Sequence, residues 1–332
     1  MTIVAFLVAI VGFAGAQELP LDVMGGSSTG SDIEIPAAPP DYASERIDQS
    51  LWQYPRGTER LVRDLQEHSH DAFSHIEGEL GAPVSRDLVI RIARDIDGMA
   101  ALAPVGLPPP RAATGVAYPS ARLIVLTLRA PDGWSRPPLR HVLTHELSHI
   151  ALFDAVGGRS LPRWFTEGVA IAHARESSFE RTRVLWNATF QDRIIPLADL
   201  SRHFGARPHQ VTLGYAQSAD FVTFLRSREG GRARFAALLE NLRAGSAFSQ
   251  AVQHAYELSL DELESLWRQG LVRRYRTLPF LFSGTTFWVF ATILVVVAYV
   301  VRRRRARRKI ARWAALEAGE AASHHPPKTA LH

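Results

Sequence analysis

His145 and His149 bracket a carboxylate in the run His145-Glu146-Leu147-Ser148-His149. Residues four apart on a helix lie one above the other on the same face, so these two imidazoles can reach a single metal ion. A catalytic zinc keeps three protein ligands and leaves its fourth position to water. His145 and His149 supply two ligands, and the third has to come from elsewhere in the chain. Glu146 reads as the general base, taking a proton from the metal's water and passing it to a leaving amine. His141 also stands four residues before His145, but Val142-Leu143-Thr144 between them holds no carboxylate. That pair lacks a base, and His141 reads as an outer or surface histidine.

The third ligand separates the classes of such sites. The metzincin pattern puts a Gly and a third His at positions that here hold Leu152 and Ala155, which excludes that class. Glu167 stands in Leu161-Pro162-Arg163-Trp164-Phe165-Thr166-Glu167-Gly168-Val169-Ala170, a segment that reads as the start of a second helix. Two readings of it are open on the residues alone. It is the third ligand, or it is a first-turn carboxylate favoured by the helix dipole.

The surrounding sequence supplies elements to hold these groups. Leu139, Val142, Leu143, Leu147, Ile150 and Ala151 recur at helical intervals, which predicts a helix with one face in a core. Pro137-Pro138 suits its first turn and Gly157-Gly158 its end. Upstream, Thr58 to Leu80 reads as an amphipathic helix stopped by Gly81. Leu88 to Asp95 and, more strongly, Ala121 to Arg129 read as strands, the second beside the active-site cleft. Downstream the expected elements are helices near 166–177, 215–228, 231–243 and 259–276. The last opens on a capping box of Ser259 and Glu262.

The string HVLTHELSHIAL, then LPRWFTEGVAIAHA, then LGYAQSADFVTFL resembles the peptidase MA-like members of the gluzincins, zinc peptidases related to thermolysin and the membrane aminopeptidases. The resemblance runs over roughly residues 58 to 275. It implies that Glu167 is the third zinc ligand beside His145 and His149. It also implies a predominantly helical α+β fold: a zincin, thermolysin-like domain with a small N-terminal sheet before the zinc helix and a helical half after it. Gluzincins stabilise the oxyanion with a Tyr or His from the helical half. Tyr215 stands where the resembling sequences carry a Tyr, with His173, His203 and His209 as rivals and a packed aromatic at a helix start as the plain alternative. Arg207 and His209 fall in an expected loop.

Two positions depart from the better-known gluzincins. The stretch Thr114-Gly115-Val116-Ala117-Tyr118-Pro119 lacks the Met, Asn and acid with which aminopeptidases hold a substrate's amino terminus. Aminopeptidase action is therefore unsupported and endopeptidase action is the default. Where many gluzincins place an Asp four residues after the Glu ligand, to orient a zinc histidine, this chain has Ile171. Asp154 or a backbone carbonyl is left for that task.

Location is the second message of the sequence. Residues 2 to 14 form an apolar run followed by Ala14-Gly15-Ala16, which reads as a signal peptide spanning 1–16. Phe280 to Val301 carries no charged residue and would span about 33 Å as a helix, enough for one bilayer crossing. Arg302 to Lys309 is basic throughout except for Ala306, which places the tail 302–332 in the cytoplasm and suits anionic lipid headgroups. The expected protein is single-pass in the cytoplasmic (inner) membrane, with its catalytic domain, 58–276, periplasmic or extracellular and joined through a flexible linker at 17–57. The net charge of +5 resides in that basic cluster, so nucleic-acid binding has no support beyond it. The chain has no Cys, which excludes disulfides and thiolate metal sites. Residues, resemblance and topology lead to one expectation: Zn2+-dependent hydrolysis of protein or peptide substrates at a membrane. The alternative is a catalytically weak or inactive peptidase fold that binds a partner there.

Overall fold

A computed structural model describes residues 33–110, 113–129, 138–175, 179–205, 208–275, 288 and 291–307. Five strands form one mixed sheet: β1 (Tyr42–Ile47), β2 (Ser50–Pro55), β3 (Val89–Ala93), β4 (Gly115–Tyr118) and β5 (Leu123–Thr127), in the order β1-β2-β3-β5-β4. The hairpin β1–β2 turns at Asp48 and Gln49, both at positive φ. β2, β3 and β5 run parallel, while β4 returns antiparallel to β5 as an edge. The first parallel crossover is α1 (Glu59–Leu80), which ends where Gly81 adopts the left-handed conformation and donates its N–H to the Glu77 carbonyl. All five residues of β5, LIVLT, are buried, as a strand covered on both faces requires. Leu123 and Val125 join Met99 and Leu102 of α2 (Ile96–Leu102) in one core. Ile124 and Leu126 alternate to the other face.

Helices follow: α3 (Leu139–Ala155), α4 (Arg163–His173), α5 (Phe179–Phe190), α6 (Leu197–Leu200), α7 (Pro208–Ser227), α8 (Gly231–Arg243), α9 (Phe248–Tyr256) and α10 (Leu260–Tyr275). The α+β plan expected from the sequence, mostly helical with a small N-terminal sheet, is the observed one. α3 starts after Pro138 and stops at Gly157 and Gly158, both in positive φ. The capping box forms as expected: the Ser259 N–H donates to Glu262 Oε2 and the Glu262 N–H to Ser259 Oγ. Trp164 and Phe165 at the start of α4 meet Phe221 of α7, Phe235 of α8 and Phe248 of α9 edge-on or tilted. This aromatic core fixes the helical half around α4.

Several expectations need correction. The linker expected at 17–57 ends earlier, because residues 42–55 are the β1–β2 hairpin, with Trp52 1 % exposed inside the sheet. The apolar alternation of β2 was too short to outweigh the Pro- and Gly-rich run before it. β5 packs against α3 as expected, and the edge strand β4 lies against it too, with Gly115 beside Glu146. The helices α5, α6 and α9 were not anticipated.

The chain divides into two compact units at Leu271. In the second, residues 291–307 are helical and the large apolar side chains from Ile293 to Val301 are exposed. Among the described residues no helix is long and apolar enough to cross a membrane. The expected span 280–301 lies partly outside the described residues, as do the expected signal peptide 1–16 and the tail beyond 307.

Candidate metal centre

α3 brings His145 and His149 to one face, and α4 lays Glu167 across them. Their ligand atoms all lie within 4.8 Å of one another, and all three residues are buried. The Nε2 atoms of His145 and His149 stand 3.5 and 4.0 Å from Oε2 of Glu167. These are ion-pair separations rather than hydrogen bonds. The two rings meet edge-on with centroids 4.9 Å apart. Two donors each bound about 2.0–2.1 Å from a tetrahedral zinc are themselves about 3.4 Å apart, close to the two histidine–carboxylate separations.

The donor set fits a cation chemically as well. Burial, opposed by the charge of Glu167, pushes the His149 imidazole down to about 4, so it is neutral at pH 7 with a lone pair to give. Burial would push the Glu167 carboxyl up, but His145, His149 and Arg163 outweigh it and hold the group at about 2. Glu167 is therefore an anion with no solvent exposure, and neither of its oxygens accepts a hydrogen bond. Arg163 faces Oε1 at 3.6 Å, so Oε2, turned to the two imidazoles, is the oxygen that a metal cation would neutralise. His145, His149 and Glu167 can hold a metal ion.

Two glycines let the elements come this close. A side chain at Gly168 would meet the Ser218 carbonyl oxygen at 2.4 Å, so α4 rests on the backbone of α7. A side chain at Gly115 in β4 would meet Val142 Cγ1 at 2.5 Å and Glu146 Oε1 at 3.0 Å. The edge strand thus presses on α3 beside Glu146, which is itself buried.

Tyr215 lies on α7, which packs along α4. Burial first, then the negative charge of Glu167, lifts its phenol well above the ordinary value, with Glu146 adding to the effect. Tyr215 therefore stays protonated within the field of both carboxylates. Its ring packs edge-on against Phe204 at 5.0 Å. His173, one of its rivals, is placed differently. Its Nδ1 is 2.8 Å from Ser148 Oγ of α3, and its ring meets His75 of α1 edge-on at 6.1 Å. The side chains of His203 and His209, and all of Arg207, lie outside the described residues. His141 is exposed, as expected. Asp154 does not orient a histidine: both its oxygens take Arg122 Nη1 at 2.7 Å.

Sequence reading missed Arg163, whose Nε lies 3.6 Å from Glu167 Oε1. It also missed the Ser148–His173 contact. The spacing of Arg163 from Glu167, four residues on a helix, was the available signal for the first. Nothing in the sequence tied His173 to Ser148.

No curated protein matches the chain. The family model of the Peptidase MA superfamily matches residues 70–273, a range that takes in the second half of α1, three of the five strands, the His-His-Glu cluster on α3 and α4, and the packed helices α7 to α9. With the motif, the helix pair that carries it and that match in agreement, the chain belongs to the Peptidase MA superfamily.

Proposed function

We propose that the protein is a membrane-anchored zinc metallopeptidase of gluzincin type that hydrolyses peptide bonds of extracytoplasmic proteins or peptides. The observation that carries this reading is the convergence of His145, His149 and Glu167 within 4.8 Å, with Glu146 on the same helix. Zinc, when bound, supplies the Lewis acid that makes water nucleophilic near neutral pH. Glu146 takes the proton of the attacking water and delivers it to the leaving amine. The Tyr215 hydroxyl, kept protonated, donates to the oxygen that gains charge in the transition state. No acid in Thr114 to Pro119 is available to hold a substrate's amino terminus, which favours endopeptidase action. The apolar surface from Ile293 to Val301 and the cations that follow it support a single crossing with the carboxyl end in the cytoplasm and anionic lipid at the basic segment.

A casein or peptide-library assay on the purified chain tests the chemistry. Glu146→Gln is expected to abolish cleavage while zinc content stays at the wild-type level. Tyr215→Phe is expected to lower kcat by about 10²–10³-fold with zinc retained. Full proteolysis by Glu146→Gln would remove the proposed base from the mechanism.

A further inference from the structure

Arg163 and Glu167 are four residues apart on α4 and share its face. The two oxygens of Glu167 have different neighbours. Oε2 turns toward Nε2 of His145 and His149, at 3.5 and 4.0 Å, while Oε1 faces the Nε of Arg163 at 3.6 Å. The Arg163 side chain is only 13 % exposed, and its surroundings fix it. Its Cζ lies 5.1 Å over the ring of Phe204, in the short 3-10 turn Ser201–Gly205. Its charge also lowers the Tyr215 phenol against the burial that raises it, and the Tyr215 ring packs edge-on against that same Phe204. One cation thus lies beside the carboxylate of the His-His-Glu cluster and acts electrostatically on the phenol of α7.

We propose that Arg163 is a positioning residue that holds Glu167 as a one-oxygen metal ligand. The proposal rests on the metallopeptidase reading above. A carboxylate can bind a cation through one oxygen or both. A buried guanidinium beside Oε1 competes for that oxygen as a rigid planar donor and leaves Oε2 to the metal. The fourth position at the metal then stays open for water. The residue four places after Glu167 is Ile171, so the orienting carboxylate common at that place is absent here. Arg163 supplies an outer contact from the other side, to the carboxylate ligand rather than to a histidine. A lysine at 163 would keep the charge but lack the planar fork that faces Oε1 and lies over Phe204.

The test uses the purified full chain as wild type, Arg163→Lys and Arg163→Met. Zinc affinity is measured by competition with a chromophoric chelator, the visible spectrum is recorded on cobalt(II)-substituted protein, and thermal melts are followed by circular dichroism. Arg163→Met is expected to weaken zinc binding by about ten- to a hundredfold. It is also expected to dim the visible cobalt bands as the freed carboxylate binds through both oxygens and raises the coordination number. Arg163→Lys is expected to fall between the two. Unchanged affinity and an unchanged cobalt spectrum in a folded Arg163→Met would overturn the proposal and leave Arg163 as packing for Phe204. If Arg163→Met does not fold, a wild-type spectrum in Arg163→Lys overturns it instead. A wild type that takes up no metal would overturn the metallopeptidase reading, and the role of Arg163 with it.

Discussion

Buried histidines give this protein a pH dependence whose sign follows from their surroundings. Burial pushes His149 to about 4 and, with the charge of His75 added, His173 to about 3, from an ordinary value of 6.5. His68 and His75 are pushed the same way by burial. Between pH 6.5 and those depressed values the unfolded chain binds protons that the folded chain refuses. The stabilisation is fully present above 6.5 and is lost as pH falls through the window. The metal-free chain is therefore expected to melt at a clearly lower temperature at pH 5 than at pH 7.5. His173→Gln is expected to flatten that difference, because it removes the most depressed group. Equal melting temperatures at the two pH values would contradict the burial of these imidazoles. At this scale the sequence was most legible where a spacing carried the chemistry: His145, Glu146 and His149 follow from one helical turn. Glu167 did not follow from spacing, because a first-turn carboxylate looks the same until α4 is seen to cross α3. Arg163 was missed because the meaning of a cation four residues before a carboxylate depends on whether the pair is buried. On an exposed helix the same pair contributes only about 0.3–0.5 kcal/mol.

At the scale of elements, the site is set by how closely two helices and one strand can approach. α4 reaches α7 through Gly168, where an added methyl would collide with the backbone of Ser218 and with Val222. Because the main obstacle is backbone, a rotamer change cannot relieve it. Gly168→Ala is expected to cost about 1–3 kcal/mol from overpacking and to weaken zinc binding as Glu167 is displaced with its helix. Chemical denaturation and a zinc titration of the same variant check both; a neutral effect on stability and metal would mean that α4 and α7 are not in this contact. α3 and α1 could be read from their periodicity, and α10 from its capping box, because local signals specify those elements. β4 could not. Gly115 to Tyr118 is four residues long with neither alternation nor charge, and only its pairing with β5 and its pressure on α3 make it a strand. The hairpin β1–β2 is likewise specified by tertiary contact, chiefly the burial of Trp52 and Tyr54.

Taken whole, the chain joins a folded peptidase-superfamily unit to a second unit in which exposed apolar side chains lead into a run of arginines. The apolar span was legible from composition alone, since no charge interrupts residues 280 to 301. Its fate in a bilayer depends on an environment outside the chain. The proposed anchor predicts that the full chain sediments with membranes and resists extraction by high salt or carbonate, and that a chain ended after Tyr275 is released. Release of the full chain by salt alone would show that the basic segment, not the apolar span, holds it. The proposed chemistry depends on the cluster formed by α3 and α4, and its metal content is the most direct test. Zinc should be measured in the purified chain beside its Glu167→Ala variant. One zinc per wild-type chain is expected, lost or sharply weakened in the variant. A folded wild type that takes up no zinc, even when reconstituted with the metal, would contradict it.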